Sequence, residues 1–339
     1  MQYLGIDVGG ANLKVATIDG DGFEVPFAFW QQHHEFAQTL KSFSDQLKTD
    51  AMRLGVTMTA ELADCFETKE HGVTFIVETM EDVLGHLHPL YYQTNGQMVS
   101  AKSAARNWRE TAASNWHATA SFLGQRNKIK SGLLIDVGST TVDIIPIQNG
   151  QPLMNGLMDF DRLANRQLVY AGIGRTPISG LVQQVEHDGT SIGLARELFA
   201  TIDDALIWLG DVQPDENDEH TADGRTRSRV NARSRLARMV CADRLTAADC
   251  LIDSIARAAK QRLIELIADA VRFQLNIDVK ICPHFYLVGK GQTIATEAIR
   301  SLEFDDDTIV ECEIAKAQLI PAQAVAYFRQ RADEQQAVD

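Results

Sequence analysis

Two turns of nearly the same design, Asp7-Val8-Gly9-Gly10-Ala11-Asn12 and Asp136-Val137-Gly138-Ser139-Thr140-Thr141, constrain this chain more than any other feature. Each follows a short apolar strand, Tyr3-Leu4-Gly5-Ile6 or Leu133-Leu134-Ile135. Each resumes as a second strand, Leu13-Lys14-Val15-Ala16-Thr17-Ile18 or Val142-Asp143-Ile144-Ile145-Pro146-Ile147. The aspartates therefore fall at the carboxyl ends of strands buried on both faces, where open α/β sheets bind ligands. Both hairpins close on glycine turns, Asp19-Gly20 and Asn149-Gly150. Glycine lets backbone approach an anion, and consecutive N–H groups in such turns form a concave anion-binding nest. Ser139, Thr140 and Thr141 add hydroxyl donors to the second nest. The Walker loop and the dinucleotide fingerprint run from strand into helix, and neither pattern occurs at these turns. The expectation is one phosphate group held between two related halves.

The chain has 339 residues, 45% of them hydrophobic and 23% charged, which is ordinary for a globular protein of about two domains. A formal charge of -14 argues against nonspecific binding to nucleic acid or an anionic membrane, both of which need clustered cations. It does not oppose a small polyphosphate, because local Lys, Mg²⁺ and backbone dipoles outweigh the global field. No stretch approaches the roughly 18 apolar residues of a membrane span, and the N-terminus enters a strand without a charged leader. A cytoplasmic protein acting on small molecules is expected, and a homodimer is left open. The five cysteines, Cys65, Cys241, Cys250, Cys282 and Cys312, form no C-x-x-C pair and read as reduced, mostly buried thiols.

Periodicity predicts an extended segment over 23–30, a helix over 35–49 and a strand over 54–58. Thr57, Thr59 and Glu61 then lie at a strand's carboxyl end, either as substrate contacts or, for Thr59 and Glu61, as a helix cap with its first-turn carboxylate. Helices are expected over 69–85, 101–124 and 159–168, with a strand pair around Asn95-Gly96 and a glycine-rich loop over 170–177. Within that loop, Arg175 either grips an anionic substrate group or stands free on the surface. Residues 211–228 read as an exposed, mobile acidic-to-basic segment. Asp218, His220 and Asp223 there form a conceivable metal site, and the arginines up to Arg238 a conceivable phosphate-reaching lid. Thr246 with Asp249 reads as the cap of a long helix running to about Asn276. That helix feeds the apolar strand Phe285-Tyr286-Leu287-Val288 and a glycine pair, Gly289 and Gly291, split by Lys290.

An early Asp-x-Gly hairpin, a second one ending in Ser-Thr-Thr, and a late strand with a glycine pair resemble the phosphate-1, phosphate-2 and adenosine motifs of the superfamily of actin, sugar kinases and heat-shock chaperone ATPases. Residues 5–14, 56–64, 136–143, 174–177, 221–225 and 237–243 extend the resemblance to hydantoinase A and oxoprolinase-like proteins. They are closest to the subgroup tied to tetrahydromethanopterin-linked C1 transfer, which includes the archaeal synthase that forms the aryl ether of methanofuran. The resemblance implies an α/β, two-lobed, actin-like (ribonuclease H-like) ATPase fold, with duplicated mixed sheets flanked by helices and a central phosphate-binding cleft. Lobes of 1–130 and 131–339 follow, with a C-terminal helix packing back on the first.

By the same resemblance, Asp7 and Asp136 orient Mg²⁺ through its waters, and Asp143 is a second metal or base position. It also makes Gly9, Gly10, Asn12 and Lys14 on one side, and Gly138, Ser139, Thr140 and Thr141 on the other, the expected phosphate contacts. Gly289 and Gly291 border a nucleoside if one binds. The inserted Lys290 departs from the motif and puts ATP in doubt. The chain also lacks the additional domains of hydantoinases, so ring opening is not expected. The leading expectation is a transferase joining a furan-methyl diphosphate to a tyramine-derived phenol, with Asp136, Asp143 or Glu61 taking the phenolic proton. An ATP-dependent kinase or ligase-type enzyme and a nucleotide-regulated assembly factor for C1-transfer enzymes are the alternatives.

Overall fold

The computed structural model describes residues 2–46, 52–277, 284–311 and 314–337. Two mixed sheets are built alike. In the first, β1 (Gln2–Val8) pairs antiparallel with β2 (Asn12–Thr17), which pairs with β3 (Gly22–Pro26). On its other side β1 pairs parallel with β4 (Met52–Met58), followed by β5 (Leu90–Tyr92) and β6 (Met98–Val99). In the second, β7 (Ser131–Val137) pairs antiparallel with β8 (Val142–Gln148), which carries β9 (Gln151–Pro152) and β10 (Leu168–Val169). A separate hairpin, β11 (Gln184–His187) with β12 (Thr190–Gly193), lies outside both sheets. Parallel to β7 runs β13 (Phe285–Val288), and beyond it β14 (Ile309–Glu311). The repeated unit is an antiparallel hairpin whose first strand also pairs with a parallel neighbour. This is the actin-like arrangement, with one Asp-Gly turn at the end of each hairpin.

Alternate residues of β1, Leu4, Ile6 and Val8, are buried in the first sheet's core with Leu13, Val15, Leu54 and Val56. Leu133, Ile135 and Val137 of β7 enter the second core, where the helix Asp249–Ile277 supplies Ile252, Ile255, Ala259 and Leu263. A third cluster joins the halves: Trp116 and Phe122 of the helix Asn115–Arg126 meet Leu134, Ile145 and Val288, and also Val325 and Phe328 of the helix Ile320–Gln336. That last helix lies directly on the first sheet. Gly5 and Gly55 are neighbours in register, and a Cβ on either would fall 1.8 Å from the Ala322 oxygen or 2.2 Å from the Val325 oxygen. The two missing side chains are what allow helix backbone to rest on sheet backbone.

Several sequence-based expectations change. The segment after β3 bends into a short helix, Phe29–Gln32, and the helix after it spans Phe36–Gln46, its expected end lying outside the described residues. Residues 101–124 form three helices rather than one, Ala101–Arg106, Trp108–Thr111 and Asn115–Arg126. The long helix begins at Asp249, because Asp243 captures the Leu245 and Thr246 amides and the Thr246 hydroxyl in a turn of its own. Residues 211–228 are pinned rather than loose. Arg227 makes a two-pronged contact with Asp203 at 2.7 Å, and Asp223 accepts from Arg235 at 2.9 Å and Arg238 at 3.1 Å. Those pairs commit Asp223 and the arginines, so neither the metal site nor the phosphate-reaching lid forms. The Asp218 carboxylate bonds to His220, and no metal-holding group of three His, Cys, Asp or Glu occurs among the described residues. Cys65 is half-buried and Cys241 and Cys250 are exposed, against the expectation of buried thiols; Cys282 and Cys312 lie outside the described residues. No helix among those residues is long and apolar enough to cross a membrane.

Candidate active site

The two turns share one geometry. The Gly9 amide donates to the Asn12 oxygen at 3.0 Å, and the Gly138 amide to the Thr141 oxygen at 2.9 Å. Carbonyls of the first turn are occupied from behind, Gly10 by the Phe29 amide and Ala11 by the Phe27 amide. The second turn is backed by the glycine-rich loop, whose Ile173 amide donates to Gly138 and whose Gly174 and Arg175 amides donate to Ser139. With their carbonyls held from behind, the turns face one cavity of about 270 Å³ lined by Gly10, Ala11, Thr140 and Thr141. Its walls also include Trp30, Thr59, Asp143, Asp159, Arg162 and Arg175.

Directly opposite Asp7 in the first hairpin stands Lys14, whose Nζ lies 3.1 Å from Asp7 Oδ2. Burial works against the Lys14 ammonium, but Asp7, Asp136 and Glu24 outweigh it and hold its pKa above the usual lysine value. Asp136 is pushed up to about 7 by burial and then by Asp143, with Lys14 pulling the other way. The second Asp7 oxygen, Oδ1, is buried without a hydrogen-bond partner. An orphaned carboxylate oxygen close enough to Asp136 for the two to repel fits a hydrated Mg²⁺, which keeps its waters and needs few carboxylates.

Asp143 occupies the place in the second hairpin that Lys14 has in the first, opposite Asp136. The buried Arg162 bonds to it, lies 3.5 Å from Asp159 and stacks 4.3 Å over the Trp116 ring. Burial raises the Asp143 pKa, and Arg162 offsets part of that rise. Asp159 in turn takes Lys69 at 2.7 Å, and Lys69 stands 4.0 Å from Glu61. Glu61 is 1% exposed, and among the described residues neither of its oxygens has a well-aligned hydrogen bond, the Glu61 and Ala113 amides being near but poorly placed. Burial pushes it up to about 7, against the pull of Lys69 and of the Glu61 and Ala113 amides.

Other candidates are placed less directly. Thr57 is buried with its hydroxyl bonded to Ser114 at 2.9 Å, so it is a packing contact and not a substrate contact. Thr59 makes no side-chain cap and lines the cavity. Arg175 also lines the cavity, its guanidinium stacked 4.0 Å from the Trp30 ring centre. Gly289 and Gly291 pack on the end of β7: a Cβ at Gly289 would lie 2.4 Å from Asp136 Oδ1, and one at Gly291 2.3 Å from the Val137 side chain. Between them, Lys290 reaches Glu24 of the first sheet at 2.7 Å. The sequence reading missed Arg162, Asp159, Lys69 and Trp30, which meet only through tertiary contacts.

The sequence model of the hydantoinase/oxoprolinase family matches residues 53–332. The chain belongs to this family. This hydantoinase/oxoprolinase-family protein is 36% identical over 308 residues, 88% of its length and 89% of the relative's, to the (4-{4-[2-(gamma-L-glutamylamino)ethyl]phenoxymethyl}furan-2-yl)methanamine synthase of Methanocaldococcus jannaschii. A synthase of the same name from Methanococcus vannielii is 31% identical over 186 residues, 54% of this chain and 81% of the relative. With both relatives named synthases, the family member described here is an enzyme. Among solved structures, nucleotide-free acetone carboxylase superposes with a TM-score of 0.51 at 14% identity, over 96% of this chain and 70% of that one, a likeness of fold alone.

Proposed function

We propose that this enzyme joins a furan-methyl diphosphate to a phenol and releases diphosphate. The observation that carries the reading is the relative from Methanocaldococcus jannaschii, whose named product holds a phenoxymethyl-furan, an aryl ether on a furan-bearing methylene. The cavity between the two turns supports it, because diphosphate departs readily only where preorganised donors meet its developing charge. With the Gly9 and Gly138 amides closing their turns, the amides of residues 10–12 and 139–141, the hydroxyls of Thr140 and Thr141, and the Lys14 ammonium are the donors in question. Mg²⁺, held through its waters by Asp7 and Asp136, would supply further neutralisation of the leaving group.

In the step itself the phenol oxygen attacks the methylene carbon. The new O–CH₂ bond forms as the CH₂–O bond to diphosphate breaks, and diphosphate leaves with the electron pair. Asp143, the one proposed base whose residue lines the cavity, receives the phenolic proton. The step as written consumes no ATP, and Lys290, which splits the glycine pair, is tied to Glu24.

Incubating the full chain with an aminomethyl-furan-methyl diphosphate, a γ-glutamyl-tyramine phenol and Mg²⁺ tests the reading by mass spectrometry of the ether. Ether and free diphosphate in equal amounts without ATP support it. A folded, Mg²⁺-loaded protein that forms no ether, or that turns over only with ATP, overturns it in favour of a phosphotransferase.

A further inference from the structure

The carboxylates around the cleft cavity differ in how they are matched. Asp143 is bonded to Arg162, and Asp159 to Lys69 and Arg162. Asp64 lines the same cavity with no hydrogen bond or ion pair among the described residues. Asp64 is itself exposed, at a rim of the cavity where large apolar side chains also meet water. Leu62, two residues before it, is 50% exposed, and Tyr170 in the cavity wall is 59% exposed. Large apolar side chains left in contact with water beside one unmatched carboxylate suit an aromatic ring that carries a cation.

Resting on the ether-forming reading, we propose that Asp64 anchors a primary ammonium carried on a methylene of the aromatic ring being transferred, with Leu62 and Tyr170 flanking the ring. The charge distribution places that substrate lengthwise: diphosphate at the donor-rich turns, ammonium at the unmatched acid. An α-amino acid group, the other source of a primary ammonium in such a reaction, brings a carboxylate with it. Arg162 is bonded to Asp143 and Arg175 is stacked on Trp30, and a carboxylate brought up beside Asp64 would add a second like charge there. A bare arylmethylammonium meets no such repulsion.

Ligand-observed NMR titrations of the full chain with furfurylamine, furfuryl alcohol, L-glutamate and inorganic pyrophosphate test this. Wild type binds furfurylamine about five-fold more tightly than furfuryl alcohol, the size of a partly exposed ion pair. Asp64→Asn reduces that preference to less than two-fold, Asp64→Glu keeps at least half of it, and pyrophosphate binds all three proteins alike. A wild type that does not distinguish amine from alcohol, a preference that survives Asp64→Asn, or L-glutamate displacing furfurylamine in an Asp64-dependent way each overturns the assignment. Failure of wild type to bind pyrophosphate would sink the ether-forming reading separately, since the amine preference is read without it.

Discussion

Lys14 and Asp143 hold the same position in the two hairpins, each directly across the strand pair from the aspartate that opens its turn. One hairpin therefore sets a cation against its aspartate and the other sets a second acid. The folds of the halves match while these charges are opposed, so one wall of the cleft carries a cation beside its aspartate and the other a second acid. Lys14→Met removes the first wall's cation and leaves Asp7 facing Asp136 without it. Breaking a buried pair in this way costs about 3 kcal/mol. Pyrophosphate affinity should fall at least ten-fold, as for a lost hydrogen bond to a charged group. Denaturant unfolding and calorimetry check the two losses, and wild-type affinity in Lys14→Met would remove Lys14 from the phosphate site.

Glu61 gives the cleft a pH-dependent stability. Its folded pKa of about 7 lies above its ordinary value because burial penalises the carboxylate, with Lys69 offsetting part of the penalty. The folded protein therefore binds this proton more tightly than the unfolded chain. The stability contributed by neutral Glu61 is complete below the ordinary glutamate pKa and is lost as pH rises through about 7. Glu61→Gln should make no difference near pH 4 and become the more stable protein by about 2 kcal/mol at pH 8. Urea unfolding at unit steps of pH reads this directly, and parallel curves for the two proteins would contradict it.

Arg162 lies within a six-residue helix, Asp159–Ala164, and meets its partners only through tertiary contacts. It is 2% exposed, between Asp143, Asp159 and the Trp116 ring. Arg162→Leu strands Asp143 while Asp159 keeps Lys69, and should cost about 3 kcal/mol. Arg162→Lys keeps the charge without the planar fork or the flat face for Trp116, and should recover only part of that loss. Thermal unfolding of both variants checks the ranking, and equal stability of Lys and Leu at this position would show that charge is not what Arg162 contributes.

What was legible in the sequence is what local backbone chemistry dictates. An aspartate after an apolar strand, followed by glycines and a second strand, leaves the chain few conformations, so both turns and both hairpins were readable. Signals that compete locally were misread: Thr246 looks like a helix cap, yet Asp243 takes its hydroxyl and amide first. The acidic-to-basic segment 211–228 looked solvated because its partners, such as Asp203 for Arg227 and Arg235 for Asp223, lie in helices elsewhere in the chain. The chain Asp143, Arg162, Asp159, Lys69 and Glu61 was invisible for the same reason, since two of its members come from the first half of the cleft and three from the second.

The glycine pair was readable as a motif, and its closest contacts are with Asp136 and Val137 at the end of β7. Gly289 has φ +82, and a Cβ there would meet Asp136 Oδ1 and the Val137 oxygen, both at 2.4 Å. Gly96 has nearly the same φ, +83, with nothing within 4 Å of a Cβ. Comparing alanine at the two positions separates backbone strain from displacement of Asp136. Gly96→Ala should cost only the left-handed penalty, about 1–2 kcal/mol, and leave turnover at the wild-type level. Gly289→Ala carries that penalty and also has to push Asp136 or Val137 aside, so it should lose more stability and more than ten-fold in kcat, as ångström-scale misplacement of a reacting group does. Denaturant unfolding with steady-state kinetics at saturating substrate checks both. Equal kcat in the two variants would mean that the glycine pair serves the backbone alone and that Asp136 is not held by it.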